Sequence, residues 1–166
     1  MAFVPEDGTG LPDANSFVDV AFADDYFASI GSTAWAGENT AKQAWLIQAT
    51  NYIVFAFGSR LGCYTPLAED QALPFPTEQN GMPTALLTAT CEYAVRAKAG
   101  PLMPDPTVDA SGFSVVTTKK VVGPIEKEFS VAGGQSQPQL YRSYPYPDSM
   151  MRSILCPGSG GNRVIR

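Results

Sequence analysis

The 166-residue chain contains no histidine, and this absence removes the Ser-His, Cys-His and His-metal arrangements on which most common hydrolases depend. Charge is also scarce. Asp, Glu, Lys and Arg make up 16% of the residues, against about 25% in a typical soluble domain. No apolar run approaches the roughly 20 residues that span a bilayer, and no basic N-terminus leads into an apolar stretch. The expectation is a chain with no visible export signal and no membrane partner. Cysteine occurs only at positions 63, 91 and 156, an odd number with no C-x-x-C pair and no histidine to complete a zinc site. That spacing predicts buried free thiols in a reducing compartment.

What is present begins with enough apolar residue, 45% of the chain, for one ordinary core and hardly for two. A single domain with appendages is expected over 1–155, followed by a flexible tail over 156–166. Glycine and proline are abundant, at 15 and 14 residues. A surface poor in charge and rich in turns suits a subunit that buries much of its outside against neighbours, although a monomer with long polar loops would have the same composition. The charge is unevenly spread. Residues 1–95 hold eleven acids against Lys42 and Arg60, whereas 96–166 hold nine bases against five acids, for a net charge of −5. Two such poles would dock head-to-tail or on a partner of complementary sign; an ordinary solvated surface is the plainer reading.

Along the chain, Pro5, Gly8, Gly10 and Pro12 break regular structure and make residues 1–18 an extended, turn-rich arm that needs something to lie on. Asp19 caps a first helix over 20–30, with Val20, Ala23, Phe27 and Ile30 on one face and Gly31 ending it. A second helix runs from an N-cap at Thr40 to Phe57, with Trp45, Ala49, Tyr52, Ile53 and Ala56 on the apolar face and Gly58 as the stop. Trp35, Trp45, Phe55 and Phe57 read as core, since aromatics at helical spacing are more often core than a platform for stacked bases. The Pro- and Gly-rich stretch 58–83 is too aromatic to be disordered and reads as an ordered loop. Pro83 opens a third helix to Ala99, with Leu86, Thr90, Tyr93, Ala94 and Ala97 on one face and Gly100-Pro101 ending it.

Beyond a loop at 101–112, residues 113–122 and 125–131 predict an antiparallel β-hairpin around Gly123-Pro124. Ile125, Phe129 and Val131 would face inward, and Glu126 and Glu128 would meet Lys119 or Lys120 across the strands. That pairing is preferred for the lysine doublet over phosphate binding. A two-stranded ribbon is marginal alone and should pack on the helices or on a neighbouring subunit. A linker over 132–147 leads to a short helix from Pro147 to Leu155, ended by Pro157-Gly158. The last residues are basic and apolar, a composition suited to ordering on a partner. The fold class is thus mainly α: a small bundle of about four helices with a hairpin extension and extended arms at both ends.

No motif supplies chemistry. The glycines at 8–10 and 158–161 lack the Gly-Lys-Ser/Thr ending or the strand-to-helix context that cradles a phosphate. Asp24-Asp25 point in different directions on a helix, and Glu69-Asp70 have no recognisable partner. No enzyme, cofactor or metal site is expected.

Five segments, in order, carry a resemblance: EDGTGLPDANSFV (6–18), AWLIQATNYI (44–53), QALPFP (71–76), LLTATCEYAVRA (86–97) and KKVVGPIEKEF (119–129). Together they resemble the head-tail connector, or adaptor, subunits of tailed bacteriophages, a family also labelled DnaT-like single-stranded-DNA-binding. The resemblance covers about 6–155. Family members often carry an arginine after the aromatic-Pro pair, where this chain has Phe75-Pro76-Thr77.

The resemblance implies a structural virion protein at the head-tail junction, assembled through the host cytoplasm as a homo-oligomeric ring, dodecameric to match the portal. The portal protein and a tail or tail-completion protein would be its partners, with DNA passing through the bore without sequence-specific binding. By composition, Phe3, Val4, Leu11, Lys119, Lys120, Ile125 and Phe129 are candidates for subunit contact, and Arg163, Val164, Ile165 and Arg166 for portal contact. The bore would be neutral or acidic, because each phosphate contact adds friction. The alternative is a single-stranded-DNA-binding module, for which the one candidate patch is Lys119 and Lys120 with Tyr141, Arg142 and Tyr144.

Overall fold

A computed structural model of the chain describes residues 2–104, 118–122, 125–129 and 142–156; of the strand residues it describes the backbone. The chain divides into two compact units, one made of Met1–Leu102 and Ser143–Arg166 and the other of Met103–Arg142. The fold is mainly helical, with four helices: α1 (Val20–Ser29), α2 (Asn39–Phe57), α3 (Thr84–Ala99) and α4 (Pro145–Arg152). Among the described residues, no helix is long and apolar enough to cross a membrane.

α3 is central to the first unit, packing against α1, α2 and α4. Its apolar stripe is the predicted one: Leu86, Thr90, Tyr93, Ala94 and Ala97 are all buried, and Gly100 ends the helix. Each large apolar side chain taken fully out of water contributes about 1.5–3 kcal/mol, so Leu86 and Tyr93 here, with Leu46 and Ile53 buried on α2, which packs against α3, hold the unit together. α1 starts where predicted, the Asp19 carboxylate accepting the Phe22 N–H at 2.6 Å. Ile30 departs from prediction. It lies past the last helical turn, where Gly31 takes a positive φ, and is 53% exposed instead of packed with Phe27.

α2 begins at Asn39 behind Glu38, which makes no side-chain cap, so Thr40 is not the N-cap. The buried face is Leu46, Ala49, Thr50, Tyr52, Ile53 and Phe57, turned slightly from the predicted one; Trp45 and Ala56 fall on its margin. Phe55 is 62% exposed, which corrects its assignment to the core. α4 begins two residues before the predicted Pro147, at a proline whose fixed φ and missing N–H suit a first turn.

The N-terminal residues do not extend as a free arm. The Glu6 carboxylate accepts the N–H groups of Gly8, Gly10 and Leu11, drawing the chain into a loop whose start pairs with its end through Glu6 N–H to Ser16 O at 2.8 Å and Asn15 N–H to Val4 O at 2.8 Å. Gly10, at φ +83°, lies where a Cβ would stand 2.9 Å from that of Ala68. The loop is thereby pressed onto the 58–83 segment, which is itself folded through Gln71 and Thr77. Thr77 is buried in a tight turn with Gly81.

Cys63 and Cys156 form a disulfide, so the expectation of three free thiols holds only for buried Cys91. The pairing also fixes the chain at Cys156, whose N–H bonds to Arg60 O, so the expected tail over 156–166 does not begin free at its first residue. Burial pushes the Cys91 thiol up to about 12, out of the reactive range.

In the second unit, β1 (Thr118–Val122) and β2 (Ile125–Phe129) pair antiparallel, Thr118 opposite Phe129 and Val122 opposite Ile125. The remaining positions of the predicted 113–131 ribbon lie outside the described residues, as do Tyr141 and 157–166.

Burial raises the hydroxyl of Tyr52 to about 12, and burial with a hydrogen bond to a carboxylate raises those of Tyr26 and Tyr93 still further. A phenol whose folded pKa lies above its unfolded value of 10.0 contributes stability that is complete below that pH and lost as pH rises through the folded pKa. Urea midpoints should therefore hold steady up to about pH 9 and fall above pH 10, less steeply in Tyr93→Phe. An equal fall in that variant would sink the assignment.

Candidate nucleic-acid interface

A nucleic-acid site needs cations that the protein has not already neutralised, and the helical unit engages most of its own. Lys42 Nζ lies 2.8 Å from Asp24 Oδ1 and over the Trp35 ring. The same carboxylate oxygen accepts the Trp35 indole N–H at 2.7 Å. Lys98 Nζ donates to Ala34 O and Ala36 O at 2.7 and 2.8 Å, over the Trp45 ring. These contacts fasten the α1–α2 connection, where a Cβ on Gly37 would come within 2.7 Å of the Trp45 ring. Arg96 is bound to Glu92, buried on the preceding turn of α3, and the other oxygen of Glu92 accepts the Tyr26 hydroxyl. Binding a phosphate with any of these groups would first break a contact that holds the fold.

The acids are less consumed. Asp7, Asp13, Asp19, Asp25, Glu38, Glu69, Asp70 and Glu78 are all exposed, and a polyanion approaching within a Debye length of about 8 Å at physiological salt meets their repulsion. Asp24 is a structural acceptor for Lys42 and Trp35.

Of the patch expected from sequence, the helical unit holds Tyr144. Tyr144 is buried: its ring lies 5.7 Å from that of Tyr52 and 5.9 Å from that of Tyr93, and its hydroxyl donates to Leu102 O at 3.0 Å. A ring so placed offers no face to a base. Arg142 is exposed. Phe55 and Tyr146 are the strongly exposed aromatic rings among the described residues, and the sequence reading selected neither for stacking.

Of the lysine doublet, Lys119 stands opposite Glu128 in the backbone register. Lys120 stands opposite Lys127. The place of Lys127 follows from the offset set by the Val122–Ile125 pair, which fixes all other pairs. Ile125 and Phe129 lie on the same strand, whereas Phe3, Val4 and Leu11 are half-buried in the N-terminal fold-back of the helical unit. Arg163, Val164, Ile165 and Arg166 lie outside the described residues.

The helical unit carries a cleft of about 190 Å³ between the N-terminal loop, the start of α1 and the start of α3. Phe17, Phe22, Met82 and Leu87 give it apolar walls, and Asp7 and Asp19 lie on its exposed rim. Among the described residues, no group of His, Cys, Asp and Glu side chains could hold a metal ion.

A family model described as "Putative DnaT-like ssDNA binding protein" matches residues 1–166. No curated protein and no solved structure matches the chain.

Proposed function

The chain belongs to the DnaT-like ssDNA binding family, and from that premise we propose that it is a binding protein without catalytic activity, contacting single-stranded DNA through backbone phosphates at β1 and β2. The observation that carries this reading is the register placing Lys120 opposite Lys127, a like-charge pair that a phosphate would stabilise. The acidic helical unit then stays off the DNA and limits affinity. Binding of this kind is electrostatic and indifferent to base sequence.

With Lys119, Lys120 and Lys127 neutralising about three phosphates, log K against log salt should fall with a slope of about −2. A tenfold rise in salt then weakens binding of an oligothymidylate about 100-fold. Lys120→Ala with Lys127→Ala should flatten the slope to about −0.7. Fluorescence anisotropy over a salt series measures this; no salt-sensitive binding, or an unchanged slope in the double variant, rejects the site.

A second reading is favoured by a different observation, the run of exposed carboxylates on a helical unit whose lysines are held internally. A surface of that kind suits the wall of a tunnel through which DNA must slide, since phosphate contacts would add friction. Under this reading the chain is a head-tail connector subunit of a tailed bacteriophage, forming a ring of twelve on the portal and offering the tail a docking surface. Mixing the protein with the portal of its own phage and imaging by electron cryo-microscopy should then show a stacked ring. Absence of association at several salt concentrations would leave the DNA-binding reading.

A further inference from the structure

In the cleft between the N-terminal loop, α1 and α3, the side chains of Phe22, Met82 and Leu87 are only half-buried, so its walls keep apolar surface in water. At about 190 Å³ the space is smaller than the roughly 300–1,000 Å³ of small-molecule sites and suits one aliphatic side chain. The charge around it has one sign. Asp7 and Asp19 stand exposed on the rim, and among the described residues no lysine or arginine lines the cleft. Both carboxylates are held in place: Asp7 accepts the hydroxyl and the backbone N–H of Thr9, and Asp19 accepts the Phe22 N–H. Asp19 faces the N-terminus of α1, but its full charge exceeds the roughly half-charge of a helix end, so the rim stays negative. A fitting ligand therefore has an aliphatic side chain at its centre and a cation to either side, and a chain of phosphates is repelled.

We infer that the cleft docks a segment of a partner protein in which one leucine or isoleucine, seated against Phe22, Met82 and Leu87, is flanked by arginines or lysines that pair with Asp7 and Asp19. A protein segment meets these demands better than a free small cation. In extended backbone, residues two apart point to the same side, so a basic-x-aliphatic-x-basic pattern directs three side chains at one surface. The long arginine and lysine stems then reach outward to the rim while the aliphatic group enters. Exposed ion pairs contribute little singly. The aliphatic side chain supplies the affinity by taking apolar surface out of water, and the carboxylates select the charge of its neighbours. The inference rests on neither functional reading above, since it needs only the cleft and its rim.

The probe is the synthetic peptide acetyl-Arg-Ala-Leu-Ala-Arg-amide, added to the full chain while the methyl resonance of Met82 is followed. A saturable shift is expected at millimolar peptide. Replacing the peptide's leucine by serine should weaken binding about tenfold, and replacing its arginines by glutamate should abolish the shift. Asp7→Asn with Asp19→Asn should weaken the original peptide about fivefold, as the loss of two exposed ion pairs would; asparagine at 19 still caps α1. The peptide changes leave the protein untouched, so they decide the matter should the aspartate variant fail to fold. No saturable shift, equal binding of the serine or the glutamate peptide, or equal binding to the folded aspartate variant overturns the inference. A Met82 resonance that moves when the protein alone is concentrated overturns it in favour of a second copy as the occupant.

Discussion

Replacing Cys63 and Cys156 together by serine should lower the unfolding free energy by about 4–5 kcal/mol. The bridge joins residues 93 apart in sequence, and a closed loop of about that length removes close to 4.6 kcal/mol of chain entropy from the unfolded ensemble. It also ties the 58–83 segment to the end of α4. At about 3 °C per kcal/mol for a chain of this size, the thermal midpoint should drop by about 12–15 °C. Urea unfolding of the oxidised protein and of the double serine variant measures the difference. A loss below about 1 kcal/mol would mean that the unfolded chain is already constrained by other contacts. Cys91 is a control: Cys91→Ser leaves the bridge intact, so any effect reports the packing of α3 alone.

That bridge was not legible in the sequence, for a physical reason. Pairing depends on where the chain brings two sulfurs together, and Cys63 lies in a Pro- and Gly-rich segment while Cys156 follows the last helix. Helices with one apolar stripe and clear boundaries were legible: the buried face of α3 is the predicted one, and Asp19 marked the start of α1. α2 was harder because Trp45-Leu46-Ile47 and Tyr52-Ile53-Val54-Phe55 are apolar nearly all round, and periodicity cannot choose a face when every face is apolar. Leu46 and Thr50 took the interior and left Phe55 outside.

The candidate site divides in the same way. Composition indicated which part of the chain is basic. It did not distinguish Lys119, opposite Glu128, from Lys120, opposite Lys127, because that depends on register. Tyr144 looked available in a Tyr-Arg-Ser-Tyr run, but its ring contacts, Tyr52 and Tyr93, come from distant helices. The cleft was not visible at all, since its lining is drawn from three separate stretches of chain.

Asp148→Ala should cost about 3 kcal/mol, more than an exposed carboxylate near a helix start would suggest. One oxygen of Asp148 accepts the Tyr93 hydroxyl, and the other accepts the Tyr144 N–H at 2.9 Å. The first bond joins α4 to α3; the second satisfies an amide at the α4 N-terminus. Losing the cap costs about 1 kcal/mol. The larger share comes from Tyr93, fully buried, whose hydroxyl would be left without its acceptor at a cost of about 1–3 kcal/mol. Removing that hydroxyl as well should recover much of the loss, so Tyr93→Phe combined with Asp148→Ala should be less damaging than the sum of the two single changes by about 1–2 kcal/mol. A double-mutant cycle from urea unfolding decides it. Additive losses would mean that the two side chains contribute separately, and that α4 is held on α3 by the packing of Tyr144 and Met151 instead of by the carboxylate.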